Sequence, residues 1–452
     1  MSSATDSRSG PAMAQESAVQ RFFRATEIDT RLLGMIGALA LIWVGMDLIG
    51  VWKSSGFTLN PRTLWDNSIF LSSRNLWNLL VQTSAIAVMS TGMVLIIVMR
   101  HIDLSVGSML SFIGVVIGVE QVYGLSPALG ATSPVIWIIA VLSALALGAL
   151  IGGFNGYLVA YAGIPSFIVT LGGLIVYNGL AWWVIRGETV APMDANFELI
   201  GGTPRGAWIG STASWILGGL ACAGIVWGLI ANRSARQRFR FPQRPVWAEV
   251  FLGVMGTVLI IGTVAVVNSY AWPVKVVEAY ARDHAITVPP EGLNFGHGFA
   301  IPVLITVAIG FLMTFIAGRT AFGRYVYAIG GNPEAAELAG VNTKWMTLCM
   351  FSLMGVLTAV AACITSARLD AASNSLGQTN ELYVIAATVI GGTSLAGGVG
   401  TIYGAMLGAL VMQSLQSGMT LLNFDSAVRD VVVGSVLVFA VWLDQIYRRR
   451  QG

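Results

Sequence analysis

Apolar stretches of close to 20 residues recur along the chain, near 32–52, 79–99, 105–123, 134–160, 165–185, 213–231, 249–268, 299–317, 346–366, 382–395, 400–417 and 427–445. A helix needs roughly 20 consecutive apolar residues to cross the hydrocarbon core of a bilayer. In lipid every backbone N–H and C=O must be satisfied internally, which a helix does within one segment. The pattern predicts an all-α polytopic membrane protein with about 10–12 transmembrane helices. The stretches at 105–123 and 382–395 are short, so broken or re-entrant helices are expected there. Composition agrees: only 10% of residues are charged, against roughly 25% in soluble domains.

Basic residues in loops set orientation. Arg21, Arg24 and Arg31 precede the first stretch, and Arg448, Arg449 and Arg450 follow the last. The segment 232–248 holds Arg233, Arg236, Arg238, Arg240 and Arg244, and 319–345 holds Arg319, Arg324 and Lys344. With twelve crossings all four sites fall on one side, which predicts that both termini are cytoplasmic. Residues 1–30 are polar and Ser/Ala-rich, with no apolar core of a cleavable signal, and are expected to form a cytoplasmic tail. The transmembrane domain then covers 31–447, with a short tail at 448–452. The small net charge of +3 does not suggest a nucleic-acid partner. Cys222, Cys349 and Cys363 all lie in apolar runs, which argues against disulfides and a metal cluster.

Between two apolar stretches, Arg319 to Gly340 reads RTAFGRYVYAIGGNPEAAELAG. It is expected to be a polar loop carrying one short helix. Asn332 is a candidate N-cap, Pro333 suits the first helical position, and Glu334 favours the positive helix end. Ala335 and Ala336 continue the helix, and Gly340 suits a left-handed stop. A compact, punctuated helix on a cytoplasmic face suits a docking point for a separate protein.

Charge inside a span is costly, about 2.5–3.5 kcal/mol for an Asp at a helix centre. Asp103, in IDLSVGS beside Arg100 and His101, is the sharpest case. It reads either as a cap for the following helix, with Ser105 as a second cap, or as part of a pathway or gate; the two are compatible. Asp47 and Asp430 lie nearer span ends, where interfacial water or a neighbouring Arg such as Arg429 is within reach. RHIDLSVGS (100–108) and GGTSLAGGVG (391–400) both interrupt pairs of apolar stretches, an echo found where transporters contain repeats. Asn155, Ser166, Thr170, Asn178, Thr393 and Ser394 are embedded polar residues that either contact a passing solute or join helices. The glycines of GALIGGFNGYLVAY suit close helix packing. Tyr177, Trp182 and Trp183 read as an interfacial belt.

Catalytic signatures are missing from the sequence. None of Lys53, Lys275 and Lys344 follows a glycine, so the Gly-Lys-Ser/Thr phosphate loop is excluded. GGVGTIYG misses the dinucleotide spacing by one residue and has no βαβ context. His101, His284 and His297 are scattered, and Ser394 has no nucleophile elbow. A membrane-embedded enzyme is therefore disfavoured. An ion-coupled secondary sugar transporter stays open, with Asp103 as its one good buried acid, as does a passive channel.

Four segments, IDLSVGSML (102–110), PSFIVTLGGL (165–174), RTAFGRYVYAIGGNPEAAELAGVN (319–342) and VIGGTSLAGGVGTIYGAMLGAL (389–410), together resemble the membrane permeases of bacterial ABC monosaccharide importers of the ribose, galactose, arabinose and xylose type. The long section between PSFIVTLGGL and RTAFGR is most similar to the xylose type. The resemblance implies an ABC importer permease fold in a multi-pass inner-membrane homodimer. It implies a cytoplasmic ATPase with two fused nucleotide-binding domains, which would bind the ATP and Mg, and a periplasmic sugar-binding protein; no cofactor is expected in this chain. It maps an ATPase-coupling loop onto Arg319, Gly323, Arg324, Asn332, Pro333, Glu334, Ala335, Ala336 and Gly340. Candidate pathway or gate residues are Asp103, Ser105, Gly107, Asn155, Ser166, Thr170, Thr393 and Ser394.

Overall fold

The computed structural model describes residues 18–55, 68–130, 133–203, 206–283 and 295–449. Most of the N-terminal tail, His284 and Arg450 lie outside the described residues. The described chain is all-α. An amphipathic helix α1 (Ala18–Thr26) precedes α2 (Thr30–Ser55), α3 (Ser73–Val98), α4 (Val106–Leu129), α5 (Ile136–Ala160) and α6 (Ser166–Ile185). Then follow α7 (Gly210–Arg238), α8 (Val246–Ser269), the short α9 (Val274–Asp283) and α10 (Ile301–Arg319). Two short helices, α11 (Ala321–Gly331) and α12 (Pro333–Leu338), lead to α13 (Thr343–Leu369), α14 (Asn380–Ile390), α15 (Ile402–Leu421) and α16 (Ser426–Arg449). Among the described residues nine helices are long and apolar enough to cross a membrane.

Lipid tails are as apolar as leucine, so helices in a bilayer associate through close packing more than through water exclusion. Glycines supply that closeness in α5. Gly148, Gly152 and Gly156, spaced by four, share one face, and a Cβ on Gly148 or Gly152 would stand within 2.3 Å of the carbonyl of Gly355 or Phe351 on α13. At the centre lies α3, with 94% of its most apolar window buried; α7 and α8 have 11% each and form the periphery.

Contacts between helix ends sort the chain into two faces. At one end of α2, Arg31 Nη1 donates to Gly392 O (3.4 Å); at the other, Lys53 Nζ donates to Leu422 O (2.9 Å). The first face also gathers Glu27, Arg100, Arg236, Arg244 and Gly330. The second gathers Trp77, whose Nε1 donates to Gly298 O, and the bridge between Val190 and Ala372. On this second face His297 stacks flat on Tyr270 (4.1 Å, 5°) and tilts against Trp208 (4.5 Å). Burial holds its imidazole below the usual histidine range.

Several local expectations change. The stretch at 105–123 is not short: a π-turn at Glu120–Leu125 carries the helix on to Leu129. Arg233, Arg236 and Arg238 belong to the last turns of α7, leaving only 239–245 as the connection. Asp47 does not reach interfacial water or an arginine. It is buried, and its Oδ1 accepts from Ser68 Oγ (2.9 Å) and from the N–H groups of Phe70 (3.0 Å) and Leu71 (3.3 Å). Tyr177 is no belt residue: it is buried and its hydroxyl donates to Asn155 Oδ1 (2.7 Å), while Trp182 and Trp183 are exposed.

The 382–395 stretch becomes α14, whose eleven residues reach only about 16 Å at 1.5 Å each. The rest of that crossing is made without regular helix by Asp370–Thr379. This segment descends along α4, with Ala372 against Gly118, Leu376 against Gly114 and Gly377 against Gly107. Irregular backbone at membrane depth persists only inside protein or beside a polar cavity. Gly377 N–H is satisfied by Ser111 Oγ (2.8 Å), and cavities flank the segment on both sides.

Candidate functional site: an unwound segment, two polar cavities and a junction of helix breaks

One cavity, about 300 Å³, lies between α4, α6 and the unwound segment, lined by Ser108, Ser111, Asn178, Asn374, Gln378 and Glu381. The other, about 410 Å³, lies between α3, α13, α14 and α15. Amide side chains dominate it: Asn75, Asn78 and Gln82 from α3, Asn380 from α14, and Gln413 and Gln416 from α15. Gln413 Nε2 donates to Gln82 Oε1 (3.1 Å), and Ser417 Oγ donates to Asn75 Oδ1 (3.2 Å). An amide offers both donors and acceptors, which matches the hydroxyls of a neutral polyol, and among the described residues Arg368 of α13 is the one charged side chain on the wall. None of these amides was singled out from sequence. Their signal is helical spacing within apolar runs, 75/78/82 and 413/416.

Asn178, one of the embedded polar residues singled out from sequence, lines the first cavity; the eight candidate pathway or gate residues lie elsewhere. Asp103 Oδ1 accepts from Ser105 N (2.9 Å) and Ser105 Oγ (2.6 Å), so it caps the entry to α4; Ser105 makes no side-chain cap of its own. Asn155 Nδ2 donates to Ser105 Oγ (3.2 Å). Ser166 Oγ accepts from Ile102 N (3.4 Å), and Thr170 Oγ1 donates to Ile102 O (3.2 Å). Five of the singled-out residues, all buried except the half-buried Ser166, thus form one network around the first break, with Tyr177 as an added member. Gly107 lets α4 approach Gly377 and Glu381. Thr393 and Ser394 sit in the second break, where Ser394 N–H is bonded to Val399 O (2.9 Å). None of the eight lines either cavity.

The two breaks meet. Gly398 N–H donates to Val98 O (3.0 Å), joining the second break to the end of α3. Arg100, in a left-handed conformation (φ 65°), donates from Nε to Gly330 O (2.9 Å) and from Nη2 to Gly331 O (2.8 Å). Those are the last carbonyls of α11, where a cation complements the helix dipole. Tyr327 Oη, also on α11, donates to Gly400 O (2.7 Å).

The segment 319–342 therefore carries two helices, not one. Thr320 Oγ1 caps α11 by accepting from Gly323 N (3.2 Å), with Phe322, Val326 and Ile329 at helical spacing on its inner face. Arg319 and Arg324 flank this cap. Asn332 Oδ1 caps α12 by accepting from Ala335 N (3.1 Å), with Pro333 at the first position and Glu334 in the first turn. Gly340 closes it in the left-handed region (φ 85°). Ala336 anchors α12, and the rest faces outward, Leu338 at 90% exposure.

Residues 75–441 match the family described as the permease component of the branched-chain amino acid transport system. The chain belongs to this permease family. The permease is 36% identical over 382 residues to the xylose transport system permease protein XylH of Haemophilus influenzae, covering 84% of this chain and 91% of that one. It is 31% identical to the ribose import permease protein RbsC of Escherichia coli K12 (83% and 87% covered). It is 26% identical to the galactose/methyl galactoside import permease protein MglC of Salmonella typhimurium (86% and 91%). No solved structure matches it. The permease is thus a transport protein rather than an enzyme, of the ABC sugar-importer type that its four motifs resemble.

Proposed function

We propose that the permease is the membrane conduit of an ATP-driven importer of xylose or a related monosaccharide. It works as a homodimer by alternating access, with a separate cytoplasmic ATPase of two fused nucleotide-binding domains and a periplasmic sugar-binding protein. The arginine-rich face is then cytoplasmic, with both termini on it, in a bacterial inner membrane. ATP and Mg belong to the partner.

The observation that carries this reading is the continuity between the exposed α12 and the two helix breaks. Closure of an ATPase gripping Glu334 and Leu338 moves α12 and, one residue away, the end of α11. Arg100 and Tyr327 pass that displacement to the break before α4 and to the break before α15. Both breaks adjoin elements that wall the amide-lined cavity. Reversing a 1:99 population of inward- and outward-open states takes about 5.5 kcal/mol of differential binding, which nucleotide and partner contacts supply together.

The amide-rich lining favours this reading over a cation-coupled transporter, since its one charged side chain among the described residues is the cation Arg368 and Asp103, engaged through Oδ1 by Ser105, lines neither cavity. Glu381, on the wall of the smaller cavity, is the acid such a rival would use. The test is reconstitution with the ATPase and binding protein in liposomes. Glu334→Arg is expected to abolish sugar-stimulated ATP hydrolysis while the permease stays folded. Undiminished uptake by that variant, or full-rate uptake by the permease alone under an ion gradient, overturns the proposal.

A further inference from the structure

At the arginine-rich face, α7 ends and α8 begins at the membrane boundary, and α1 folds back against their junction. Phe22 of α1 stacks on Trp247 (5.9 Å) and meets Phe251 edge-on (5.4 Å). Glu27 is gripped by Arg236 (Nη2–Oε2 2.7 Å, Nη1–Oε1 2.9 Å) and by Arg244 (2.7 Å). Between these elements lies a cleft of about 970 Å³ lined by Arg21, Arg24, Arg236, Arg244, Glu27 and Trp247, among others. Four guanidinium groups there face a single carboxylate. The two arginines hold the Glu27 carboxyl down to about 2, so that acid is fully engaged, and two guanidinium groups share its one negative charge. The Nε–H of Arg244 is buried and meets no acceptor.

About one turn deeper along the same two helices, a mostly apolar groove of about 460 Å³ runs between α7 and α8, with the Arg233–Glu249 ion pair (2.6 Å) and Ile230, Val250 and Val254 on its walls. A basic cleft at the boundary with an apolar groove leading from it into the membrane is complementary to one kind of molecule. We propose that this is a binding site for an anionic phospholipid, the phosphate among Arg21, Arg236 and Arg244 and an acyl chain along the α7–α8 groove. The lipid would tie α1 to the peripheral α7–α8 pair, which has little protein packing of its own. The site lies far in sequence from the coupling helices, and the inference rests on membrane embedding alone, not on the transport mechanism.

The test uses the full-length permease, delipidated in neutral detergent and titrated with phosphatidylglycerol, phosphatidylcholine or sn-glycerol 3-phosphate, with bound ligand counted by native mass spectrometry. Phosphatidylglycerol is expected to bind at about tenfold lower concentration than phosphatidylcholine and to resist displacement by glycerol phosphate. Arg244→Gln is expected to weaken it about fivefold, the factor that about 1 kcal/mol per basic residue near an anionic surface represents. Arg21→Gln, which leaves the Glu27 pairs intact, is expected to do the same. Arg238→Gln, on the same helix end but outside the cleft, is expected to change nothing. Equal loss with Arg238→Gln points to diffuse attraction and overturns the site. Displacement by glycerol phosphate makes it a site for soluble phosphate and overturns the lipid. Equal binding of the two lipids overturns the charge argument.

Discussion

The two helix breaks do the same geometric job with opposite chemistry. The first, 99–105, is held by side chains: Arg100 clamps two carbonyls of α11, and Asp103 engages Ser105. The second, 391–401, is shaped by backbone, with Gly392, Gly397 and Gly398 left-handed at φ 86°, 89° and 75°, and offers its carbonyls to the side chains of Arg31 and Tyr327 on other elements. A charged clamp is directional and reaches another element. A glycine turn is compact and lets another backbone come close. The junction needs both, because Arg100 reaches α11 only where Gly397 leaves room: a Cβ there would lie 2.5 Å from Arg100 Cγ.

Substitutions break this comparison with graded effects. The largest is expected for Gly330→Val, whose Cβ would stand 2.0 Å from the carbonyl oxygen of Val98, a backbone atom that cannot swing away. Overpacking costs about 1–3 kcal/mol or more. Uptake should vanish and thermal melting in detergent should fall; an unchanged melting point would show that α11 does not pack as described. Next is Arg100→Ala. Hydrogen bonds to charged groups contribute about 1.5–3 kcal/mol, so coupled uptake should fall about tenfold to hundredfold while the ATPase still binds, with partial recovery in Arg100→Lys. Gly397→Ala should cost about 1–2 kcal/mol for a left-handed L-residue and also push the Arg100 side chain aside, read as a smaller loss of melting temperature than Gly330→Val because a side chain can give where the Val98 carbonyl cannot. The smallest effect belongs to Asp103→Asn. Its amide oxygen can still accept from Ser105, so uptake should stay within about threefold, a change of under about 1 kcal/mol. Complete loss of transport in that variant would instead make Asp103 a proton carrier and revive ion coupling.

The cap of α12 was readable in advance because each of its parts, Asn332, Pro333, Glu334 and Gly340, acts on neighbours within four residues. The missed helix α11 had a local signal too, in Thr320 and the Phe322/Val326/Ile329 spacing, but charged Arg324 and the paired glycines made the stretch look like loop. Tyr177 was misplaced for a different reason. An aromatic near a run of tryptophans looks interfacial until Asn155, twenty-two residues earlier, turns up beside its hydroxyl.

Sequence alone determined that this is a helical membrane protein, where most of its apolar helices run and how its exposed short helix is capped. Hydropathy over about 20 residues and capping over four are local quantities. Tertiary structure decided that Asp370–Thr379 crosses partly unwound, that Asn75 and Gln82 meet Ser417 and Gln413 from over three hundred residues away, and that Arg100 finds α11. Those pairings follow from which helices pack together, and polar residues in lipid reveal their partners only once that packing exists.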